Sequence, residues 1–460
     1  MNRKVLSGLL AVLIVLAMIV PKYAEASGFK SIDTGIKTQV TAVGQYSNWD
    51  GVPSVSQFKD EKGQPAFAYK AGKKIKVVKT KDGKVKKKMN LKMKGSIFGA
   101  VTCDGSGNVY AVTGKKNSGD DTKAKTVFIT KYNKNGKLIK SIGDNGRSSL
   151  ADYYDQSYNT KEPFSGGTCD VAINGNYMAV DYGRKMYSGH QSNSVWMINT
   201  KTMKTVRPNS DEYYGYSNYE SHSFGQRTVA YEGGFAFMSE GDCYDRAFTF
   251  STADIKKGKA SEQSVFDFWV KKGTFDAYDM GTLNNNFAHI GDINDLGNGN
   301  ISFVASSVKA MNSKAQKQKE QIFVQIFDPS KDLTKKSAYV TTGKRTGTAG
   351  NNGDEKKTNY GVKWLTGYSS GTVENPQAVT DGKGNTIILY ERYGNNYSYM
   401  GVYAMKVNSK GAVIKKAKCI SKKAKLNSCE TPIYSGGNVY WCSNKHGDNK
   451  FKLYVHKCKI

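Results

Sequence analysis

Residues 101–112 read Val101-Thr-Cys-Asp-Gly-Ser-Gly-Asn-Val-Tyr-Ala-Val112. Two short runs rich in Val, Cys and Tyr flank Asp104-Gly105-Ser106-Gly107-Asn108, and Gly and Asn supply the positive φ that a tight turn needs. The stretch therefore predicts a β-hairpin. The pattern returns at 169–180 around Asn174-Gly175-Asn176 and at 228–238 around Glu232-Gly233-Gly234. It returns again at 293–304, 378–390 and 431–442, turning at Gly297-Asn298-Gly299, at Asp381 to Gly384 and at Ser435-Gly436-Gly437. A looser first copy spans 52–69 and turns at Lys62-Gly63, so the hairpin occurs seven times.

Most hairpins are followed by another strand-like run, a turn often rich in lysine, and a further run. Examples are Lys74 to Thr80 with Lys81-Asp82-Gly83, and Thr126 to Tyr132 with Asn133 to Gly136. Four antiparallel strands repeated radially predict an all-β chain, a β-propeller of seven four-stranded blades, with six if the first copy is misread. The seventh repeat ends three residues after Lys457, one strand short. A strand within 36–46 is expected to fill that place, because ring closure leaves no unpaired outer edge. The chain resembles seven-bladed β-propellers as a class, over nearly all of its length after the first 26 residues. The Gly-His and Trp-Asp pairs of WD40 repeats and the Asp-box turns of sialidases are absent.

Residues 1–26 have the pattern of a secretory signal peptide. Arg3 and Lys4 precede the largely apolar run 5–20, and Ala24-Glu25-Ala26 offers small residues for cleavage. The expected domains are thus 1–26 as signal and 27–460 as a single propeller, secreted or associated with the cell surface and with no membrane span after cleavage. Cleavage removes Arg3, Lys4, Lys22 and Glu25, taking the formal charge from +29 to +27. Such a charge favours polyanions, and the expected partners are an anionic polysaccharide, a cell-wall polymer or a surface protein. Nucleic acid is disfavoured, because lysines concentrate in the turns and outer strands whereas aromatics concentrate at the opposite face. Seven cysteines leave one odd, and Cys419, Cys429, Cys442 and Cys458 could form one or two disulfides after export.

Chain direction sorts the loops. Segments entering each innermost strand share one face of the ring with the loops joining second to third strands, and this face is the loop face. His190, His222, His289 and His446 fall there, whereas His456 lies in a strand. Three chemistries are open to this set. His190, His222 and His289 could act as general acid or base, with Arg184, Arg227 or Arg246 stabilising an anion. The same histidines, with Gln191, Gln226 or Asp292, could hold a divalent metal, although no local spacing supports that. Alternatively these side chains tie down loops around a noncatalytic binding funnel, and no cofactor is needed. Gln191, Gln226, Asp242, Asp292, Tyr214, Tyr216, Glu391 and Arg392 are the expected ligand contacts. Tyr393, Tyr397 and Tyr399 add flat apolar area with polar rims on the same face.

The histidine-lined centre is similar to that of propeller oligogalacturonate lyases, which use a metal held by histidines and glutamine with an arginine base. It is similar also to that of bacterial arylsulfotransferases. These likenesses imply a lyase, hydrolase or transferase as the alternative to a binding protein. The leading expectation is an exported propeller that binds a polar extracellular ligand in a central funnel on the loop face. A calcium loop at Asp292 to Gly299 is excluded, since Leu296 takes a ligand position and the bidentate glutamate is missing.

Overall fold

The repeated turns fold as their residue types require. In the computed structural model, Asp104 Oδ1 accepts from the amides of Ser106 and Asn108 at 2.9 Å each. Its Oδ2 accepts from Asn108 Nδ2 and the Tyr110 hydroxyl, both at 2.9 Å. Gly107 takes φ +83°, which a side chain would resist. Asp381 does the same in a later repeat, accepting from Lys383 N at 2.8 Å, Asn385 N at 3.2 Å and Asn385 Nδ2 at 2.8 Å. These bonds and the Lys406 ammonium at 2.7 Å outweigh the cost of burial and hold the Asp381 carboxyl down at about 2.

The structure describes residues 25–42, 52–119, 121, 123–146, 160–165, 168–186, 191–206, 223–241, 246–255, 259–271, 288–350 and 353–460. Within them the chain is a seven-bladed β-propeller of four-stranded antiparallel sheets. Blade 1 comprises Val55–Lys59, Pro65–Ala71, Lys74–Lys81 and Lys84–Lys92. Blade 2 comprises Ile97–Cys103, Val109–Gly114, Val127–Tyr132 and Leu138–Asp144. Blade 3 has Cys169–Asn174, Tyr177–Met186, Gln191–Asn199 and the short Lys204–Thr205, and Thr160–Pro163 adds a further strand on the end of the second. Blade 4 has Ser223–Tyr231, Gly234–Gly241, Ala247–Asp254 and Lys259–Asp267. Blade 5 has His289–Asp295, Ile301–Ser307, Gln321–Phe327 and Lys363–Trp364, and blade 6 has Thr372–Thr380, Thr386–Tyr393, Tyr399–Val407 and Val413–Ser421.

Blade 7 has three late strands, Ile433–Ser435, Asn438–Ser443 and Lys452–Cys458, and its fourth is Lys30–Lys37 from the start of the chain. Closure by an early strand was expected, but that strand begins six residues before the expected window and shares only Ile36 and Lys37 with it. The reason is pairing. Ile32 lies opposite Val455 and Ile36 opposite Leu453, with a bulge at Asp33 to Ile36 where Gly35 has φ +69°. Thr41–Ala42, in the expected window, instead pairs with Val52–Pro53.

Blades pack face to face through apolar residues that alternate along the strands. Phe67, Val78, Tyr440, Leu453, Val455 and Ile36 fill the junction of blades 1 and 7. Phe248, Phe266, Phe303 and Phe323 fill that of blades 4 and 5, where Phe266 stacks on Phe323 at 4.5 Å. A hairpin inserted in blade 5, Lys344–Ala349 with Glu355–Tyr360, leans on blade 4 and sets the Arg345 guanidinium 4.1 Å from the Phe266 ring centre. His456 is fully buried between Phe29 and Trp441, with Ser31 Oγ 2.9 Å from Nδ1, so it belongs to the closure. The six described cysteines are free thiols, which corrects the expectation of disulfides among the last four. Cys442 faces blade 1, Cys458 faces blade 6 and Cys419 lies on the outer strand of blade 6. Geometry keeps them apart.

Ile36 ties closure to the apolar junction, so Ile36→Asp is expected to bury a lone carboxyl there. Denaturant unfolding should register a loss of about 3 kcal/mol or more.

Candidate functional site

Each innermost strand is an edge strand whose free side faces the axis, so its outward amides need acceptors. Side chains of the preceding blade provide them. Ser56 Oγ accepts from Val101 N at 3.1 Å, Thr168 Oγ1 from Gln226 N at 2.8 Å and Asp170 Oδ2 from Thr228 N at 2.7 Å. Asp292 Oδ2 accepts from Ala378 N at 2.7 Å, Asn294 Oδ1 from Thr380 N at 3.0 Å and Glu430 Oε2 from Gln57 N at 2.6 Å.

Three of these acceptors are carboxyls gathered around one guanidinium. Arg227 Nε donates to Asp292 Oδ1 at 3.1 Å, and Nη2 reaches the Ser428 carbonyl at 2.7 Å. Blade 4 is thereby joined to the segment entering blade 7, across the axis. Thr431 donates its hydroxyl to Asp292 Oδ1 at 2.5 Å from that same segment. The result is a polar floor that closes the centre of the ring. Burial pushes the Asp170 carboxyl up to about 6, with Arg227 pulling it down and Asp292 pushing it further up. Burial also raises Asp292 and lifts Glu430 well above the usual carboxylate range. One guanidinium compensates three desolvated carboxyls only in part, which is why all three are raised.

A second cluster rises from the floor along blade 6 to the loop face. Glu374, near the start of the innermost strand, lies directly across the ladder from Glu391. A bulge follows Glu374, with Asn375 at φ +49°, an arrangement that re-aims neighbouring side chains. Glu391 is fully buried and fully engaged. It accepts from Tyr393 Oη at 2.7 Å, from Leu426 N at 2.6 Å and from the Lys425 ammonium, which also donates to Tyr393 Oη. Among the described residues Glu374 has no such partner. Burial, then the facing Glu391, raises its carboxyl to about 7, with Lys425 opposing. Glu320, bonded to the Thr372 hydroxyl at 2.8 Å, is raised by burial to about 8.

Aromatic rings cap this wall. Tyr393 stacks on Tyr397 at 4.8 Å, and Tyr399 stacks on His446 at 4.3 Å. Tyr397 is 64% exposed, and both Asn396 and Tyr397 adopt left-handed backbone, at φ +58° and +60°. Two consecutive strained residues holding an exposed ring on a packed partner are a costly arrangement.

The other expected site residues are placed as follows. His190, His222, Asp242, Tyr214 and Tyr216 lie outside the described residues. His289 opens the innermost strand of blade 5, and burial lowers its imidazole to about 4, which keeps it neutral. Arg184 is fully buried and holds chain segments together through Ser192 Oγ at 3.0 Å, Thr160 Oγ1 at 3.2 Å and the Gly146 carbonyl. Gln226 donates to Ser223 Oγ at 2.8 Å and accepts from Thr168 Oγ1 at 2.9 Å. Gln191 and Arg246 are buried in the third strands of blades 3 and 4 or beside them. Arg392 turns away from Glu391, its guanidinium 3.8 Å from the Tyr368 ring centre. Among the described residues no group of three or more His, Cys, Asp or Glu is arranged to hold a metal ion. The structure thus brings Arg227 and Asp292 together with Asp170 and Glu430, and Glu391 together with Glu374 and Lys425; Asp170, Glu430, Glu374 and Lys425 are the partners that sequence reasoning passed over. Their one signal in the sequence is a charged residue at, or just before, a strand that is otherwise buried.

No protein family model matches the chain, and no curated protein matches it. Solved structures share its general course. An ulvan lyase of polysaccharide lyase family 25 is 8% identical over 94% of this chain and 96% of its own, with a TM-score of 0.44. A chain of the mitotic checkpoint complex is 8% identical over 96% of this chain and 94% of its own, with a TM-score of 0.44. Hydrazine synthase of Kuenenia stuttgartiensis is 10% identical over 83% of this chain and 98% of its own, with a TM-score of 0.41. Likeness at this level says nothing about what this chain binds.

The floor makes stability depend on pH with a definite sign. Carboxyls raised by folding favour the protonated state, so their contribution is whole below about pH 4 and is lost as pH climbs through about 6 at Asp170. Relative to the unchanged protein, Asp170→Asn should gain stability between pH 4 and 7, by at most about 3 kcal/mol on top of a constant offset. Denaturant melts at several pH values measure this.

Proposed function

We propose that this is an exported propeller whose loop face binds a polar extracellular glycan, with the blade 6 wall as anchor. The observation that carries the reading is Tyr397, an exposed ring held by strained backbone on Tyr393, whose other neighbour is the Lys425 ammonium, 5.1 Å from its ring centre. A pyranose ring presents an apolar face to an aromatic ring and hydroxyls to carboxyl and ammonium groups at its edge. Export rests on the pattern of residues 1–26. No helix among the described residues is long and apolar enough to cross a membrane.

One observation favours a catalytic use of the same wall, as a lyase, hydrolase or transferase. Glu374, at about 7, is matched to proton transfer at neutral pH, and the neighbouring Lys425 could stabilise an anion. Binding is the broader reading, because it requires contact with the wall and no reaction.

Tyr397 is exposed, so Tyr397→Ala should leave stability within about 0.5 kcal/mol while weakening the best ligand of a glycan array about tenfold. Full retention of affinity would remove blade 6 as the anchor. An acidic glycan seated against Glu374 should bind more weakly as pH rises through about 7, where Glu374 ionises, and Glu374→Gln should flatten that profile. Titration calorimetry from pH 6 to 8 reads both effects.

A further inference from the structure

The outer half of blade 1 has a charge pattern that the glycan reading does not use. Along its third and fourth strands Lys74 lies directly opposite Lys92, and Lys81 opposite Lys84. Like charges placed directly across a ladder repel. Ile75, Val77, Met89 and Leu91 point towards blade 2, whereas Val78 and Val85 point towards blade 7. Alternation then sets Lys74, Lys76, Lys88 and Lys92 on the side facing blade 7, at its outer margin, where all four are exposed. Lys86, the extra residue of a bulge, extends the line towards the turn face. From Lys86 to Lys92 the strand runs about 20 Å, so the lysines span much of the height of the blade.

No acidic side chain among the described residues pairs with these five lysines. The nearest acids are already engaged: Asp82 lies 3.8 Å from Lys457, and Asp33 lies 4.0 Å from Lys452. The strip is therefore long, two strands wide and uncompensated. Lys74 and Lys76 stand about 7 Å apart on one strand, and Lys88 and Lys92, with Asn90 between them, about 14 Å apart on the other. Lysine offers point charges on flexible stems and lacks the planar fork of arginine. Such a surface reads the charge spacing of its partner, with little regard to the shape of any one group.

From this we infer a second binding surface, separate from the loop face, that takes an extended linear polyanion along the margin between blades 1 and 7. The shared chemistry is one anionic group per repeat on a flexible chain, as in a polyol phosphate or a polyuronate. The polymer replaces the missing acids, relieves repulsion between Lys74 and Lys92, and releases its own counterions. Lysines on outer strands also discourage edge-to-edge pairing of sheets. That role asks for scattered charge on every exposed edge, and it gives no advantage to one blade over another.

The test compares two variants of equal charge change in the full-length protein. One is Lys74→Gln, Lys76→Gln, Lys88→Gln and Lys92→Gln together. The control is Lys410→Gln, Lys415→Gln, Lys416→Gln and Lys418→Gln on the outer hairpin of blade 6, where the lysines are equally exposed. Affinity is read by fluorescence anisotropy for labelled poly(glycerol phosphate), polygalacturonate and duplex DNA over a range of salt, with thermal melts confirming folding. The strip variant is expected to lose about tenfold or more for at least one of the two linear polymers, and its log–log salt slope should become shallower by about 3. The control should lose less than about threefold. Which polymer suffers more identifies the source. Equal losses in both variants, no binding by the unchanged protein, or tighter binding of duplex DNA than of either polymer would overturn the inference.

Discussion

The unpaired amides of the innermost strands govern the rest of this molecule. Closing seven sheets into a ring points one edge of each at the axis, where water is scarce and an orphan N–H costs about 1–3 kcal/mol. The chain meets that cost with side chains from the neighbouring blade, always the preceding one: Ser56 for Val101, Asp170 for Thr228, Asp292 for Ala378, Glu430 for Gln57. These bonds fix each blade in height and rotation against its neighbour, which apolar packing alone leaves free to slide. They also make the axis polar by necessity. Carboxylates are strong acceptors for amides, so the same need that orders the ring concentrates acid at its centre.

Acid concentrated without water requires compensation, and Arg227 meets only part of that requirement. Its guanidinium binds Asp292 and the Ser428 carbonyl, tying blades 4 and 5 to the segment that enters blade 7. The remaining imbalance shows in the acids themselves: burial lifts the Glu430 carboxyl well above the usual carboxylate range and that of Asp170 to about 6. The floor is consequently a structural element whose charge state follows pH.

The fold was legible because its turns are local. Asp104 and Asp381 organise their hairpins through atoms within six residues, so spacing alone reveals them. The closing strand was legible only as a vacancy. Its position depends on whether Ile32 and Ile36 meet Val455 and Leu453, a match more than 400 residues apart in the chain. The site was the least legible part. Histidines draw the eye because imidazole titrates near neutrality, yet His289 is kept neutral by burial and His456 is a packing residue. The perturbed groups are ordinary carboxyls whose shifts come from register and from the next blade, as with Glu374 across from Glu391. No window of sequence contains both partners of such a pair in recognisable form.

That pair also explains why blade 6 has an available acid where the other described walls have satisfied ones. Two glutamates opposite each other cannot both be neutralised by one ammonium. Lys425, Tyr393 and the Leu426 amide all converge on Glu391, which lies in the second strand and is covered on both sides. Glu374 lies in the innermost strand, an edge strand, and the bulge at Asn375 interrupts the ladder beside it. Position in the sheet therefore decides the division of labour. The interior glutamate is fixed by its partners, whereas burial and the facing Glu391 raise the carboxyl of the edge glutamate to about 7. The edge amides that force acids onto the axis and the edge position that frees Glu374 have a common origin: each blade must end somewhere, and here it ends at the centre.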